Sequence, residues 1–258
     1  MRTKVLVTSG GTSIPIDRVR KITNMSNGTF GAKIATELLK KEFQVDFLRA
    51  EKSKSPFSMQ ADMWDNALID GNPAFENGIA ELVRVHDLWK RYGDNYTEIR
   101  YKTFDDYSER LVDILTNCEP PNIIFLAAAV SDYGTIPLDG KIRSKDSEMV
   151  IQLHALPKLI GKVKELAPNS FLVGFKLLVD STPEQLITAA RESIEKNGCD
   201  LVVANDFTDL QKGDHKVYLV DRTSSSLIHN RQNDPNSIAK QVVASAIIRY
   251  YEDQQDLT

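Results

Sequence analysis

Short continuous runs of valine, isoleucine and leucine recur along this chain, and segments of helical period separate most of them. "KVLVTS" (4–9), "QVDFLRA" (44–50), "TEIRYKTF" (97–104), "NIIFLAAAV" (122–130), "SFLVGFKLL" (170–178) and "CDLVVAND" (199–206) are the runs. Unbroken apolar runs of this length fit strands buried on both faces of a parallel sheet. Between them, "TFGAKIATELLKKE" places Phe30, Ile34, Ala35, Leu38 and Leu39 on one helical face. "DDYSERLVDILTN", "PKLIGKVKELAP" and "TPEQLITAARESIEKNG" read as further helices, with Pro157 and Pro183 in first turns. "MVIQLH" and "HKVYLVDR" read as additional strands, and "NSIAKQVVASAIIRYYEDQQ" as a C-terminal helix. The alternation predicts an α/β fold with a doubly wound, mostly parallel, Rossmann-like sheet. Two stretches break the rhythm. Residues 52–95 read as an insertion beside the sheet edge, with a helix in "FENGIAELVRVHDLWKRY". Residues 133–148, "YGTIPLDGKIRSKDSE", carry glycine, proline and charge without a period and read as a mobile arm. The reading is one domain over 1–258.

Composition narrows the partners. At 41% hydrophobic and 26% charged residues the chain buries a real core. A net charge of −4 with no basic stripe argues against nucleic acid. Cys118 and Cys199 lack metal-ligand spacing and fit a reducing, cytoplasmic setting. The four histidines are scattered, which argues against a histidine metal centre, and no apolar run approaches the length of a membrane span. The first strand begins almost at Met1, leaving little room for a leader.

Two glycine clusters frame the site. "SGGT" (9–12) turns the chain after the first strand, and "SNGTFG" (26–31) opens the first helix. A dinucleotide fold leads its glycine turn directly into the helix. Here "SIPIDRVRKITN" intervenes. The helix N-terminus still suits a phosphate, with Gly28 and Gly31 allowing close approach and Ser26 offering a hydroxyl. A plain capped turn is the alternative. The excursion brings Asn24, Arg20 and Lys21 to the same mouth. At the end of the fourth run, "AAAVSD" offers small residues and Asp132, either a turn aspartate or a magnesium ligand beside a triphosphate. Lys141, Arg143 and Lys145 form either a solvated face or a polyphosphate clamp. Phe175 is either core or a stacking platform, Lys176 lies beside it at the strand end, and Asn205 is either a turn residue or a reader of base or ribose.

The ordered set "VTSGGT", "PID", "VR", "ITN", "SNGTFG", "LAAAVSDY", "KI", "PKLI", "VGFKL" and "DLVVAND" resembles the phosphopantothenate–cysteine ligase family over nearly the whole chain, with 52–95 the weakest part. The resemblance implies an enzyme of coenzyme A synthesis that joins 4′-phosphopantothenate to cysteine. The likeness is to the stand-alone form, without the flavin-dependent decarboxylase domain and its FMN. By the same resemblance Gly10, Ser26, Gly28, Gly31, Phe175 and Asn205 contact the nucleotide, and Pro157, Lys158, Leu159 and Ile160 lie along it. Asp132 lies near the triphosphate and its Mg2+, and Lys141 is the arm lysine on the phosphates. Asn24, Ala128 and Ala129 face phosphopantothenate, and Arg20 reaches its phosphate from the other subunit of a homodimer. Lys196 matches one of two basic positions on a late helix. Glu192 occupies the other, and Lys176 stands where fused enzymes have a small residue. CTP is the expected nucleotide and ATP the alternative.

Such a family makes an amide from a carboxylate through an acyl-nucleotidylate, with loss of pyrophosphate. Both steps need charge stabilisation more than acid–base chemistry, which suits a site of lysine, asparagine, aspartate and glycines. An NADP-dependent reductase would share the sheet, but would show a tighter glycine fingerprint and, in the short-chain type, Tyr-x-x-x-Lys, a pair this sequence lacks. A non-catalytic nucleotide-sensing module would need no basic arm.

Overall fold

β1 (Lys4–Ser9) runs through the middle of the molecule, in parallel with β4 (Gln44–Ala50) on one side and β6 (Ile123–Leu126) on the other. The computed structural model describes residues 2–58, 73–117, 119–142, 148–229 and 236–256, so Cys118, Arg143, Lys145 and residues 59–72 of the insertion lie outside the described residues. Beyond β4 comes β5 (Tyr96–Tyr101), and beyond β6 come β9 (Phe171–Leu178) and β10 (Leu201–Asp206), all parallel. β11 (Lys216–Val220) and β12 (Ser225–His229) close that side antiparallel, for an order β12-β11-β10-β9-β6-β1-β4-β5. The sheet is thus α/β and mostly parallel, as the apolar runs predict, but β12 has no such run: "SSLIH" carries its apolar pair among serines.

Strand alternation sends Val5, Val7, Val45, Phe47 and Phe125 to one face and Leu6, Leu48 and Ile124 to the other. The first face is covered by α1 (Thr29–Lys40) and α6 (Ser237–Asp256), through Ile34, Leu38, Val242 and Ala246. The second is covered by α3 (Phe104–Thr116), α4 (Ile160–Leu166) and α5 (Pro183–Asn197), through Leu111, Val163 and Leu186. Burying each such side chain contributes about 1.5–3 kcal/mol. α2 (Pro73–Tyr92), the helix expected in the insertion, sets Trp89 edge-on to Phe57, which in turn contacts Tyr96 of the edge strand β5.

The structure differs from the sequence reading at several boundaries. α3 is capped by Thr103, with Asp105 and Asp106 in its first turn rather than at its start. β6 stops at Leu126, because residues 127–131 turn onto the extension of β1. Pro157 lies outside the first turn of α4, whose N-cap is Leu159, whereas Pro183 does open α5 behind the Thr182–Gln185 capping box. "MVIQLH" is extended only at its end, where β8 (His154–Ala155) pairs with β7 (Tyr133–Gly134). The excursion after "SGGT" is a hairpin of β2 (Ser13–Pro15) and β3 (Lys21–Thr23). Its tip is tied by Asp17, whose carboxylate accepts from the Val19 and Arg20 amides at 2.8 and 2.7 Å, a turn that aspartate favours.

The described first part of the arm, 133–142, is hydrogen-bonded to this hairpin. Leu138 donates to the Ile16 carbonyl (2.9 Å), Arg18 to the Gly140 carbonyl (3.0 Å), and Thr135 Oγ1 to the Pro15 carbonyl (2.7 Å). Burial raises the Asp17 pKa, but the amides of Val19, Ile142 and Arg20 and the Arg20 side chain outweigh it and hold the carboxyl at about 2.

Two outcomes follow for stability. At an ordinary helix position Gly→Ala stabilises by about 1 kcal/mol. A Cβ at Gly31, however, would stand 2.5 Å from Ser9 Oγ and 2.7 Å from Ser9 Cβ. Gly31→Ala is therefore expected to destabilise, by about 1–3 kcal/mol in urea unfolding; a raised midpoint would contradict this packing. Because the folded Asp17 pKa lies below its ordinary value of 3.8, its contribution is complete above that pH and is lost as pH falls towards 2. The urea midpoint is expected to drop across that window in the wild type and less steeply in Asp17→Asn.

Candidate functional site

Ligands of open α/β sheets bind beyond the carboxyl ends of the strands, where the strand order reverses. Here the order reverses between β1 and β6. The residues that follow these two strands are stitched across the gap. Ala129 donates to the Gly10 carbonyl (2.8 Å), Thr12 donates to the Ala129 carbonyl (3.2 Å), and Ala128 donates to Thr8 Oγ1 (3.1 Å). The Ser131 amide reaches Thr12 Oγ1 at 2.9 Å. The hairpin returns from this wall to place Asn24, whose amide nitrogen donates to the same Ala129 carbonyl at 2.7 Å. Asn24, Ala128 and Ala129 are thus brought together, and the bond to Ala129 fixes which way the exposed Asn24 amide points.

Next to them α1 begins. Its N-cap is Gly28, in the left-handed region at φ 76°, and no side chain caps it. Asn27 Oδ1 takes the Thr29 amide (3.1 Å), and Ser26 Oγ is half-buried beside this turn. The left-handed Gly10 (φ 85°) and Gly28 both lie against Ser53, which would meet a Cβ at 2.7 Å and 2.8 Å. These glycines therefore admit the 50–53 turn and, at Gly31, the Ser9 side chain. Arg49 braces that turn from the end of β4, donating to the carbonyls of Ala50, Glu51 and Ser53 while paired with Glu98.

A cavity of about 290 Å³ opens among these segments, with Asn24, Ser26, Lys21, Lys52, Lys102 and Ser53 in its lining. It stands at the small end of the ~300–1,000 Å³ usual for ligand clefts. Lys52, Ser53 and Lys102 were not among the expected site residues. Their signal was positional, since "RAEKSK" and "YKTF" follow strand ends on this side of the sheet. A larger cavity of about 590 Å³, lined by Lys164, Ser170, Asp200 and Tyr250, lies where β9 and β10 begin, at the opposite end of the strands. The strand-end rule favours the smaller one.

The other expected residues divide. Phe175 is half-buried and packs edge-on against Phe30 of "SNGTFG" at 5.9 Å, which ties β9 to the start of α1. Lys176 and Asn205 are half-buried near the carboxyl ends of β9 and β10. Asp132 and Lys158 form an exposed ion pair beside the β7–β8 ladder. Leu159 is buried in the core, so its side chain is unavailable to a nucleotide, and Ile160 packs partly on the same cluster. Lys196 is exposed in the last turn of α5, which runs back to the start of β10, so it stands at the far end of the sheet from the crevice. Arg20 is engaged within its own chain: Nε bonds Asp17 Oδ2 at 2.9 Å, and Nη2 donates to the Ile142 carbonyl at 2.6 Å. Lys141 is exposed on the docked arm. Among the described residues no group of three or more His, Cys, Asp or Glu is placed to hold a metal ion. Burial pushes the Cys199 thiol up to about 11, which makes it a packing residue rather than a nucleophile.

Known proteins repeat this pattern. The family described as the DNA/pantothenate metabolism flavoprotein C-terminal domain matches residues 1–63 and 98–253. The human phosphopantothenate–cysteine ligase is 33% identical over 228 residues, covering 79% of this chain and 72% of its own. A coenzyme A biosynthesis bifunctional protein of Thermococcus kodakarensis is 34% identical over 220 residues; the match covers 85% of this chain and 45% of that longer protein. Among solved structures, a Cab2 variant in complex with phosphopantothenate-cysteine superposes with a TM-score of 0.81 at 24% identity, over 99% of this chain and 89% of that one. The DNA/pantothenate metabolism flavoprotein of Streptococcus pneumoniae gives 0.72 at 25%, over 99% and 100%. Motif order, sheet topology and relatives agree, and the chain belongs to the phosphopantothenate–cysteine ligase family.

Proposed function

We propose that this protein joins 4′-phosphopantothenate and L-cysteine to 4′-phosphopantothenoylcysteine, in coenzyme A biosynthesis, through an acyl-nucleotidylate. The observation that carries the reading is the conjunction at the reversal point. Ser26, two residues before the glycine N-cap of α1, and Asn24, its amide oriented by the Ala129 carbonyl, line one crevice with Lys21, Lys52 and Lys102. The carboxylate oxygen of phosphopantothenate attacks the α-phosphorus of the nucleoside triphosphate, and the P–O bond to pyrophosphate breaks. The cysteine nitrogen then attacks the acyl carbon, the acyl–oxygen bond breaks, nucleoside monophosphate leaves, and the amine gives up its proton. Neither step needs a histidine. Each needs donors where negative charge accumulates. The free N–H groups of α1 suit phosphate, and Asn24 offers a neutral donor to the acyl oxygen.

CTP is the proposed nucleotide and ATP the alternative. A Mg2+ ion brought with the triphosphate needs only one or two protein carboxylates, and Asp132, exposed and paired with Lys158, suits that role. The active form is a homodimer in this proposal. Val19 and Met25 on the hairpin, with Ile136 and Leu138 on the arm, leave an exposed apolar surface for a second copy. Arg20, held by Asp17, is proposed to reach a phosphate at the partner's site. A cytoplasmic setting goes with soluble substrates of this kind.

The reading is tested by its products. With CTP or ATP, phosphopantothenate and cysteine, phosphorus NMR is expected to show pyrophosphate and nucleoside monophosphate; nucleoside diphosphate with orthophosphate would replace the mechanism by an acyl phosphate one. Asn24→Ala is expected to keep nucleotide affinity and lose turnover by about 10²–10³, the usual loss for one such donor. Turnover close to wild type would reduce Asn24 to a residue that closes the hairpin.

A further inference from the structure

We infer that Asp17 is a positioning residue for Lys141, holding the arm lysine in place from the hairpin tip. The inference rests on the ligase reading for the assignment of Lys141 to the polyphosphate. The contact itself does not. Lys141 is flanked by two peptide groups, and the tip bonds both. The carbonyl of Gly140 accepts from the Arg18 amide at 3.0 Å. The amide of Ile142, in the peptide group that joins it to Lys141, donates to Asp17 Oδ2 at 3.1 Å. Arg20 Nη2 then takes the Ile142 carbonyl at 2.6 Å, and the guanidinium is itself held by Asp17. The backbone on either side of Lys141 is therefore fixed, while its side chain remains exposed.

The tip turn and Arg20 account for only part of the Asp17 contacts. Its side chain is fully buried among residues that the hairpin alone would leave in solvent. A carboxylate in such a place needs several donors to offset its lost hydration. Two come from the tip turn, on Oδ1, and the other oxygen is shared between Arg20 and the arm. A simple Asx turn would use only the first oxygen. The second reaches across a sequence separation of 125 residues to the one arm segment that carries the lysine. Gly140, at φ 83° with open space around it, supplies the turn that presents Lys141. A lysine fixed in this way meets the leaving pyrophosphate without first having to order its own backbone, so the gain falls on turnover rather than on nucleotide binding.

Asp17→Asn separates the two halves of this contact. The amide oxygen still accepts at the tip, but the amide nitrogen cannot accept from Ile142 or from Arg20 Nε. Three measurements are made on the intact protein. Trypsin cleavage after Lys141 is expected to speed up at least about tenfold. Single-turnover pyrophosphate release is expected to slow by about 10- to 100-fold, with nucleotide Kd changed by less than about threefold. In a Lys141→Gln background, Asp17→Asn is expected to slow release by less than about twofold further, since coupled residues fail to add. Ile142→Pro removes the arm donor and is expected to reproduce the slowed release; since trypsin does not cut before proline, its arm is followed by endoproteinase cleavage before Asp139, expected to speed up as well, which covers the case of a poorly folded Asp17→Asn. Unchanged cleavage at Lys141 overturns the proposal. Losses that multiply in the double variant also overturn it, and place Asp17 on the substrate side, through Arg20. A Lys141→Gln protein with normal pyrophosphate release overturns it too. Absence of pyrophosphate release from the wild type sinks the ligase reading instead, and the cleavage comparison still decides whether the clamp exists.

Discussion

Everything at the crevice depends on how closely α1 lies against the end of β1. At Gly31 the helix has no side chain, and the space a methyl would fill is occupied by Ser9, whose hydroxyl donates to the Gly28 carbonyl at 3.0 Å. One strand residue thus both seats the first helical turn and bonds the residue that caps it. The first amides of α1 are thereby set at the mouth of the β1–β6 gap. A larger separation would still make a sheet and a helix, but it would carry the helix start away from Asn24 and the Ala128–Ala129 wall. The affinity of helix termini for anions falls off within a turn, so the distance matters more than the presence of the helix.

Around that contact the site is assembled from outlying pieces rather than from one contiguous motif. In the proposed reading the hairpin supplies Asn24, the β4 turn supplies Lys52 and Ser53, and the arm supplies Lys141. Each piece is anchored by a polar group that does no chemistry in the proposed reaction. Arg49 gathers three carbonyls of the β4 turn, and Asp17 gathers the hairpin tip with the arm. Buried charged groups are costly when unpaired, and here the bonds of Arg49 and Asp17 define the positions of the loops. Rigid loops suit a reaction whose barrier is lowered mainly by placed donors.

Much of this was legible from the chain. The parallel core strands are plain because strands buried on both faces must be apolar throughout, as "KVLVTS" and "NIIF" are. The short strands were not. β2 and β3 have three residues each, with Pro15 in the ladder, and β12 mixes serine with leucine and isoleucine, so neither period nor run length marks them. The hairpin left one trace, Asp17 before a turn, but which backbone groups an aspartate collects depends on segments that sequence does not place beside it. The same limit applies to the surroundings of Leu159 and Lys196. A motif correspondence carries residue types forward without saying whether a leucine faces the core or which end of a helix a lysine occupies. Lys102 and Lys52 were overlooked for the converse reason, since they belong to no motif and matter only because their strands end at the crevice.

The sheet order also dictates when the crevice comes into being during synthesis. On one side β1 pairs with β4, which begins at Gln44, but its other neighbour, β6, begins at Ile123. Ribosomes add roughly 5–20 residues per second, so the emerging chain spends something like 6–24 seconds with one edge of β1 lacking its partner. During that interval the helix start and the hairpin have been made, yet the wall at Ala128–Ala129 has not. A nascent chain at this stage carries an exposed apolar strand edge, the kind that templates unwanted pairing. The strand on which the binding crevice is built is therefore also the place where a growing chain most needs protection.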